Sequence, residues 1–183
     1  MKTTEIKIGG FGGQGVILAG IIIGRAASIY DKKNATLTQS FGPEARGSAC
    51  SVQVMVSEDQ ILYPYVTKPN IMVLMSQDAY NRFAGELSED GILVIEEDLV
   101  KVKDTKNNIK VFGAPATRLA EELGRKIVLN IVMVGFFTAV AGLINHDAMR
   151  QAVRDSIPKG TEDLNLKAFD KGYEYGKELL KKK

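Results

Sequence analysis

Ile6-Lys7-Ile8-Gly9-Gly10-Phe11-Gly12-Gly13-Gln14-Gly15, followed by the apolar run from Val16, decides how the chain folds. Gly10, Gly12 and Gly15 fit G-x-G-x-x-G, with Gly9 and Gly13 set among them. Glycine lacks a Cβ, so this backbone is free to take positive φ and to come close to whatever lies above it. Glu5 to Ile8 alternates as a strand does, and Val16 to Tyr30 reads as a helix. A strand, a glycine turn and a helix in that order aim the free N–H groups and positive dipole end of the helix at a phosphate or carboxylate. The same residues also suit a tight β–α turn whose glycines only let helix and sheet pack closely. Both uses stay open at this point.

The helix after the turn is apolar on nearly every side (Val16, Ile17, Leu18, Ile21, Ile22, Ile23), which predicts burial rather than an amphipathic surface position. Gly20 and Gly24 share one of its faces, where a sheet or subunit can approach. Asp31-Lys32-Lys33-Asn34 turns into a strand at Ala35 to Ser40. Gln39-Ser40-Phe41-Gly42-Pro43-Glu44-Ala45-Arg46-Gly47-Ser48 is a loop by its glycine and proline, yet it carries an aromatic and an opposed charge pair. Cys50, Val52, Val54 and Val56 alternate with Ser51, Gln53 and Met55, predicting a strand with one face buried. Glu58-Asp59 then turns the chain toward Ile61-Leu62 as a hairpin. Ile71 to Met75 and Gly91 to Glu96 are continuous apolar strands separated by a helix over Gln77 to Leu87, the pattern of a parallel sheet covered on both faces. A short strand at Val111-Phe112 and helices over Pro115–Leu123, Ile127–Ile144, His146–Ser156 and Thr161–Lys181 complete the chain, with no repeat, low-complexity tract or linker. The expected fold class is α/β: one three-layer, Rossmann-like domain over residues 1–183, with a mostly parallel sheet and an antiparallel excursion around Cys50 to Leu62. Glu5–Ile8, Ala35–Ser40, Ile71–Met75 and Gly91–Glu96 are its expected parallel core.

Composition removes several functions. The 183 residues carry 24 Lys plus Arg against 22 Asp plus Glu, a net charge of +2 that implies neither a nucleic-acid nor a membrane partner. One cysteine, Cys50, excludes an internal disulfide and an iron–sulfur cluster held by this chain alone. Met1 to Lys7 is polar and Val16 to Ile23 is too short to span a bilayer, so a cytoplasmic protein without a signal peptide is expected. His146, the single histidine, stands beside Asp147 at a helix start, and no motif places a nucleophile near it. Neither a metal site nor a catalytic residue is expected in this chain. A nicotinamide-binding unit places an acid about 20 residues after its glycines, at the end of the second strand, to hold the ribose hydroxyls. Here that strand ends Thr38-Gln39-Ser40, and Asp31 comes too early.

With Gly-Phe-Gly-Gly-Gln-Gly (10–15) and Gln-Ser-Phe-Gly-Pro-Glu-Ala-Arg-Gly (39–47) both in view, the chain resembles the gamma subunits of the 2-oxoacid:ferredoxin oxidoreductases, in particular the 2-oxoglutarate branch. The likeness runs nearly end to end. It includes Gln60-Ile61-Leu62-Tyr63-Pro64, Thr67-Lys68-Pro69-Asn70, Asn130-Ile131-Val132-Met133 and Pro158-Lys159-Gly160-Thr161. Its most specific element is Glu44-x-Arg46-Gly47 after the glycine turn; the family pattern commonly has a second glycine where this chain has Ser48.

The resemblance implies a subunit of an enzyme that converts a 2-oxoacid, coenzyme A and oxidised ferredoxin into acyl-CoA, carbon dioxide and reduced ferredoxin. It places thiamine diphosphate between alpha and beta subunits and iron–sulfur clusters on other polypeptides, with a ferredoxin-like delta subunit as a further partner. This chain is then expected to bind no cofactor by itself. Gly12, Gly13, Gln14 and Gly15, with Arg46, are expected to face coenzyme A, and Phe41, Glu44 and Arg46 to meet a partner subunit. Arg46 either pairs with a phosphate or joins Glu44 in a salt bridge at the subunit boundary. Two rivals stand beside this: a free-standing nicotinamide or flavin dinucleotide-binding domain, and a purely structural subunit.

Overall fold

The computed structural model describes residues 3–40, 49–103 and 108–182. Strands β1 (Thr4–Phe11), β2 (Asn34–Ser40), β3 (Ala49–Ser57), β4 (Ile71–Leu74), β5 (Ile92–Glu96) and β6 (Lys110–Ala114) form one sheet. Its order is β2-β3-β1-β4-β5-β6. The pairs β1·β4, β4·β5 and β5·β6 are parallel, whereas β3 runs antiparallel to both β1 and β2. The helices are α1 (Val16–Arg25), α2 (Gln77–Phe83), α3 (Ala116–Glu121), α4 (Leu129–Ala141), α5 (His146–Ser156) and α6 (Glu162–Lys181). This is the expected mostly parallel α/β sheet with an antiparallel insertion.

Apolar residues alternate across the strands, and both faces of the sheet are covered. Ile6 and Ile8 of β1, Val52, Val54 and Val56 of β3, and Ile71 and Val73 of β4 share one core with residues of α1, α4, α5 and α6. Met72 and Leu74 of β4 and Leu93 and Ile95 of β5 enter a smaller core with Ala79, Tyr80 and Phe83 of α2. The neighbouring strands β1 and β4 therefore send their helices to opposite faces. In open α/β sheets, ligands are received outside the carboxyl ends of two such strands.

Several sequence expectations need correction. Ala35–Ser40 is a strand, but it does not pair in the parallel core: β3 occupies the free edge of β1, and β2 is bonded only to β3. Ile61-Leu62 forms no hairpin strand, because both edges of β3 are already taken, and Leu62 is 86% exposed. Ser51 and Met55 are buried as well as the valines of β3, since α2 covers their side of the sheet. The helix from Val16 ends as α1 at Arg25 and continues as one π-helical turn over Ala26–Tyr30, with Asp31 N–H donating to the Ala26 carbonyl at 2.9 Å. Its buried stripe runs through Val16, Ala19, Ile22, Ile23 and Ala26, while Ile17, Leu18 and Ile21 are half-buried and Ile29 is exposed. The long helix expected over Ile127–Ile144 is shorter. A 3₁₀ turn (Lys126–Val128) precedes α4, and Gly142, at φ 58°, ends it with a left-handed cap.

Helix α4 crosses α6 at backbone contact. A Cβ built on Gly172 would lie 2.0 Å from the Val132 carbonyl oxygen, and one on Gly135 would lie 2.0 Å from that of Phe169. A Cβ on Gly20 of α1 would lie 2.7 Å from a side-chain methyl of Val52 in β3, whereas nothing lies within 4 Å of a Cβ at Gly24. Overpacked backbone contacts of this kind have no flexible atom to yield. Gly172→Ala should therefore cost at least ~3 kcal/mol in urea unfolding, while Gly24→Ala, in an open helix position, should stabilise by ~0.5–1 kcal/mol. Equal effects at the two positions would contradict this packing.

Candidate functional site

The chain must leave β1, turn, and begin α1 within Phe11–Gly15. Gly13 (φ 97°) and Gly15 (φ 72°) take left-handed conformations that other residues seldom adopt. Gly15 is the N-cap of α1, and no side chain caps the helix there. The turn is braced by Gln14. Its Oε1 accepts from the Phe11 N–H at 2.7 Å and its Nε2 donates to the Met75 carbonyl at 2.9 Å, tying the carboxyl end of β1 to that of β4. The Gln14 N–H donates to the Phe11 carbonyl at 3.1 Å. The N–H groups of Gly12, Gly13, Gly15 and Val16 have no partner among the described residues.

The five glycines are not equivalent. A Cβ on Gly9 would press on Phe83, Leu74 and Ala79; one on Gly10 would lie 2.7 Å from Gln14 Oε1; one on Gly15 would lie 2.3 Å from Asn130 Nδ2. Those three are explained by packing. Gly12 is different, because nothing lies within 4 Å of its Cβ position and its φ is not positive. No described residue requires glycine there.

A cleft of about 580 Å³ opens beside this turn. Gly13, Gly15 and Leu18 form one wall, Arg125, Ile127, Val128 and Asn130 the entry to α4, and Ile157, Pro158, Gly160, Thr161, Leu164 and Asn165 the entry to α6. Three stretches far apart in the chain thus meet at one place, with Asn130 from the second and Pro158, Gly160 and Thr161 from the third. Asn130 Nδ2 donates to the Gly15 carbonyl at 3.3 Å, and Asn165 Nδ2 to the Thr161 carbonyl at 2.9 Å. Asn130 and Arg125 were not singled out by composition or periodicity. The available signal is an asparagine set directly before the apolar run Ile131-Val132-Met133-Val134, where a polar group must find a partner.

Of the residues expected at the site, the structure brings together Gly12, Gly13, Gln14 and Gly15. Phe41, Glu44 and Arg46 lie outside the described residues. His146 packs on Tyr173 and Phe169 with its Nδ1 2.8 Å from Asp147, away from the cleft lining. Among the described residues no three His, Cys, Asp or Glu side chains gather as a metal would need, and no helix is long and apolar enough to cross a membrane. Burial pushes the Cys50 thiol pKa up, which disfavours the reactive thiolate.

An α/β sheet whose first strand leads through a glycine turn into a helix without a side-chain cap belongs to the Rossmann-like class, in which such a turn is free to serve either packing or an anionic ligand. Residues 5–175 match the family described as pyruvate ferredoxin/flavodoxin oxidoreductase, and the chain belongs to it. The 2-oxoglutarate synthase subunit KorC of Methanocaldococcus jannaschii is 48% identical over 177 residues, covering 96% of this chain and 95% of that protein. The pyruvate synthase subunit PorC of Methanothermobacter marburgensis is 33% identical over 93% of this chain and 96% of its own. A keto/oxoacid ferredoxin oxidoreductase gamma subunit from Geobacter sulfurreducens superimposes with a TM-score of 0.85 at 36% identity, over 94% of this chain and 98% of that one. The same fold occupies 32% of a longer chain in the 2-oxoglutarate:ferredoxin oxidoreductase of Magnetococcus marinus, at a TM-score of 0.82 and 19% identity over 97% of this chain.

Glu96, at the carboxyl end of β5, is 0% exposed. Its Oε1 accepts from the Thr117 N–H at 3.2 Å, while its Oε2 has no partner. Loss of hydration raises its pKa, and the bond from Thr117 opposes the rise only in part. Below the ordinary glutamate pKa the carboxyl is neutral in both folded and unfolded chains and costs nothing. As pH rises from there through the raised folded value, the unfolded chain ionises first and stability falls, then levels off. Glu96→Gln, which is always neutral, should be more stable than the parent at pH 8, with the difference shrinking as pH falls to ~4. Urea unfolding of both at the two pH values checks this; a difference independent of pH would contradict it.

Proposed function

We propose that this chain is the gamma subunit of a 2-oxoglutarate (or related 2-oxoacid):ferredoxin oxidoreductase, and that its glycine turn helps to hold coenzyme A. The first part is supported by the likeness to KorC proteins and to a gamma subunit over nearly the whole of both chains. The partners are then the alpha and beta subunits of the same enzyme, with a ferredoxin-like delta subunit and ferredoxin itself as electron acceptor, in the cytoplasm. Thiamine diphosphate and the iron–sulfur clusters belong to those partners. This chain contributes binding and shape, since no acid–base pair or nucleophile stands among the residues lining its cleft.

One observation carries the second part: Gly12 is glycine where nothing in the described structure needs it to be. A position without a Cβ, beside N–H groups that have no partner among the described residues and next to a helix start that no side chain caps, suits a diphosphate that must touch the backbone. A coenzyme with a diphosphate and no free ribose diol also removes the need for the acid that a nicotinamide cofactor would require. Gly10 and Gly15 have packing reasons of their own, so they do not distinguish a binding turn from a structural one. Gly13 does not either, because its φ of 97° strains any substitution there.

Gly12→Val is the test. In the assembled enzyme it should leave stability within ~0.5 kcal/mol and raise the KM for coenzyme A by ~10-fold, the loss of one charge-assisted hydrogen bond or more. The KM for the 2-oxoacid should not move. An assembled variant that uses coenzyme A as the parent does would leave the turn as packing only.

A further inference from the structure

The connection from Ser57 of β3 to Ile71 of β4 lies at the end of the sheet opposite the glycine turn. Both of its roots are held. Asp59 N–H donates to Ser57 Oγ at 3.1 Å, and the Glu5 carboxylate accepts from the Thr67 and Lys68 N–H groups at 2.8 Å each. Asn70 N–H donates to the Glu5 carbonyl and Asn70 Oδ1 accepts from the Glu5 N–H, both at 2.8 Å. Between these roots Gln60-Ile61-Leu62-Tyr63-Pro64-Tyr65-Val66 carries no charge. Leu62 is 86% exposed, Tyr63 61% and Tyr65 56%, and the two rings tilt against each other with centroids 5.4 Å apart. Among the described residues the other large exposed apolar side chains, Phe11, Ile29, Leu99, Ile127 and Leu180, stand one at a time along the chain. Single exposed apolar residues are ordinary, whereas three together on a pinned loop mark a surface that another molecule covers.

We propose that Leu62, Tyr63 and Tyr65 anchor this chain to a second, larger subunit of its enzyme, which receives them in an apolar pocket rimmed by hydrogen-bond acceptors. The proposal rests on the reading of the chain as a subunit of a 2-oxoacid:ferredoxin oxidoreductase. The occupant follows from how the domain occurs among its relatives. KorC of Methanocaldococcus jannaschii is matched over 95% of its length, whereas the ketoisovalerate oxidoreductase subunit VorA of Methanothermobacter marburgensis, 30% identical over 98% of this chain, is matched over 38% of its own. The domain is thus found both by itself and joined to further chain. Where it stands by itself, the face that would meet the rest of a longer polypeptide must be met by a separate subunit. Tyrosine suits such a face, because it offers a large contact area for only two side-chain torsions and its hydroxyl keeps the ring wetted until docking. Pro64 and the pinned roots fix the loop before the partner arrives, so less conformational freedom is lost on association. An anchor at this end of the sheet leaves the carboxyl ends of β1 and β4, and the glycine turn there, open to a ligand.

The test uses the enzyme assembled from its co-expressed subunits. A photo-crosslinking p-benzoylphenylalanine placed at position 63 of the otherwise unchanged chain should join it to one larger subunit, identified by mass. The same probe at position 29, where Ile29 is exposed but stands alone, should not. Tyr63→Ser combined with Tyr65→Ser should weaken subunit association by ~30-fold, as the loss of central aromatic anchors does. Both rings are exposed in the free chain, so the double variant should keep the parent's urea midpoint, which separates lost association from lost folding. Cross-links from position 63 only to a second copy of this chain, equal cross-linking from position 29, or unchanged association of the double variant would each overturn the proposal. Failure of the underlying reading looks different. If the unmutated chain forms no complex with those subunits, both readings fall; if it assembles and position 63 yields no cross-link to a larger subunit, the anchor alone falls.

Discussion

Gln14 ties the carboxyl ends of β1 and β4 together, and the functional end of the molecule depends on that tie. One side-chain amide closes the turn on the Phe11 N–H and reaches across to the Met75 carbonyl. Both of its polar atoms are thereby used inside the protein. The N–H groups of Gly12, Gly13, Gly15 and Val16 around it have no partner among the described residues, and no side chain caps the start of α1. The same amide explains why position 10 must be glycine, since a Cβ there would collide with its oxygen. A hydrogen-bonded side chain that fixes a turn while leaving its amides open gives the proposed anion site its preorganisation, because no donor has to be freed before a ligand arrives.

The second wall of that site depends on how closely α4 and α6 cross. Gly135 and Gly172 let the two helix backbones touch, which brings the entries of both helices alongside Gly13 and Gly15. Asn130 then reaches Gly15 and Asn165 holds Thr161, so packing deep between the helices sets the geometry of polar groups at the surface. Each buried asparagine thereby gains a hydrogen bond that offsets part of the cost of taking its amide from water.

Much of this could be read in the residues. The glycine turn between a strand and a helix, the continuous apolar strands and the helix at His146–Ser156 all follow from local pattern, and local pattern is what periodicity reports. The place of β2 could not be read that way. Ala35–Ser40 looks like any core strand, and only the insertion of β3 beside β1 moves it to the edge, which is a matter of long-range pairing. The cleft was invisible for the same reason: Gly15, Asn130 and Asn165 are separated by more than a hundred residues at their widest, and no spacing rule links them. Gln14, grouped by motif with the glycines expected to face a ligand, has its side chain engaged in the turn itself. That distinction rests on two hydrogen bonds no sequence displays.

The most direct measurement is amide hydrogen exchange across Phe11–Val16 in the assembled enzyme, with and without coenzyme A. The N–H groups of Gly12, Gly13, Gly15 and Val16 have no described partner, so they should exchange fast in the free enzyme and slow markedly when the diphosphate takes them. Protection there, absent when the thiol fragment pantetheine replaces coenzyme A, is the expected result. Unchanged exchange at a saturating concentration of coenzyme A would contradict a ligand at this turn.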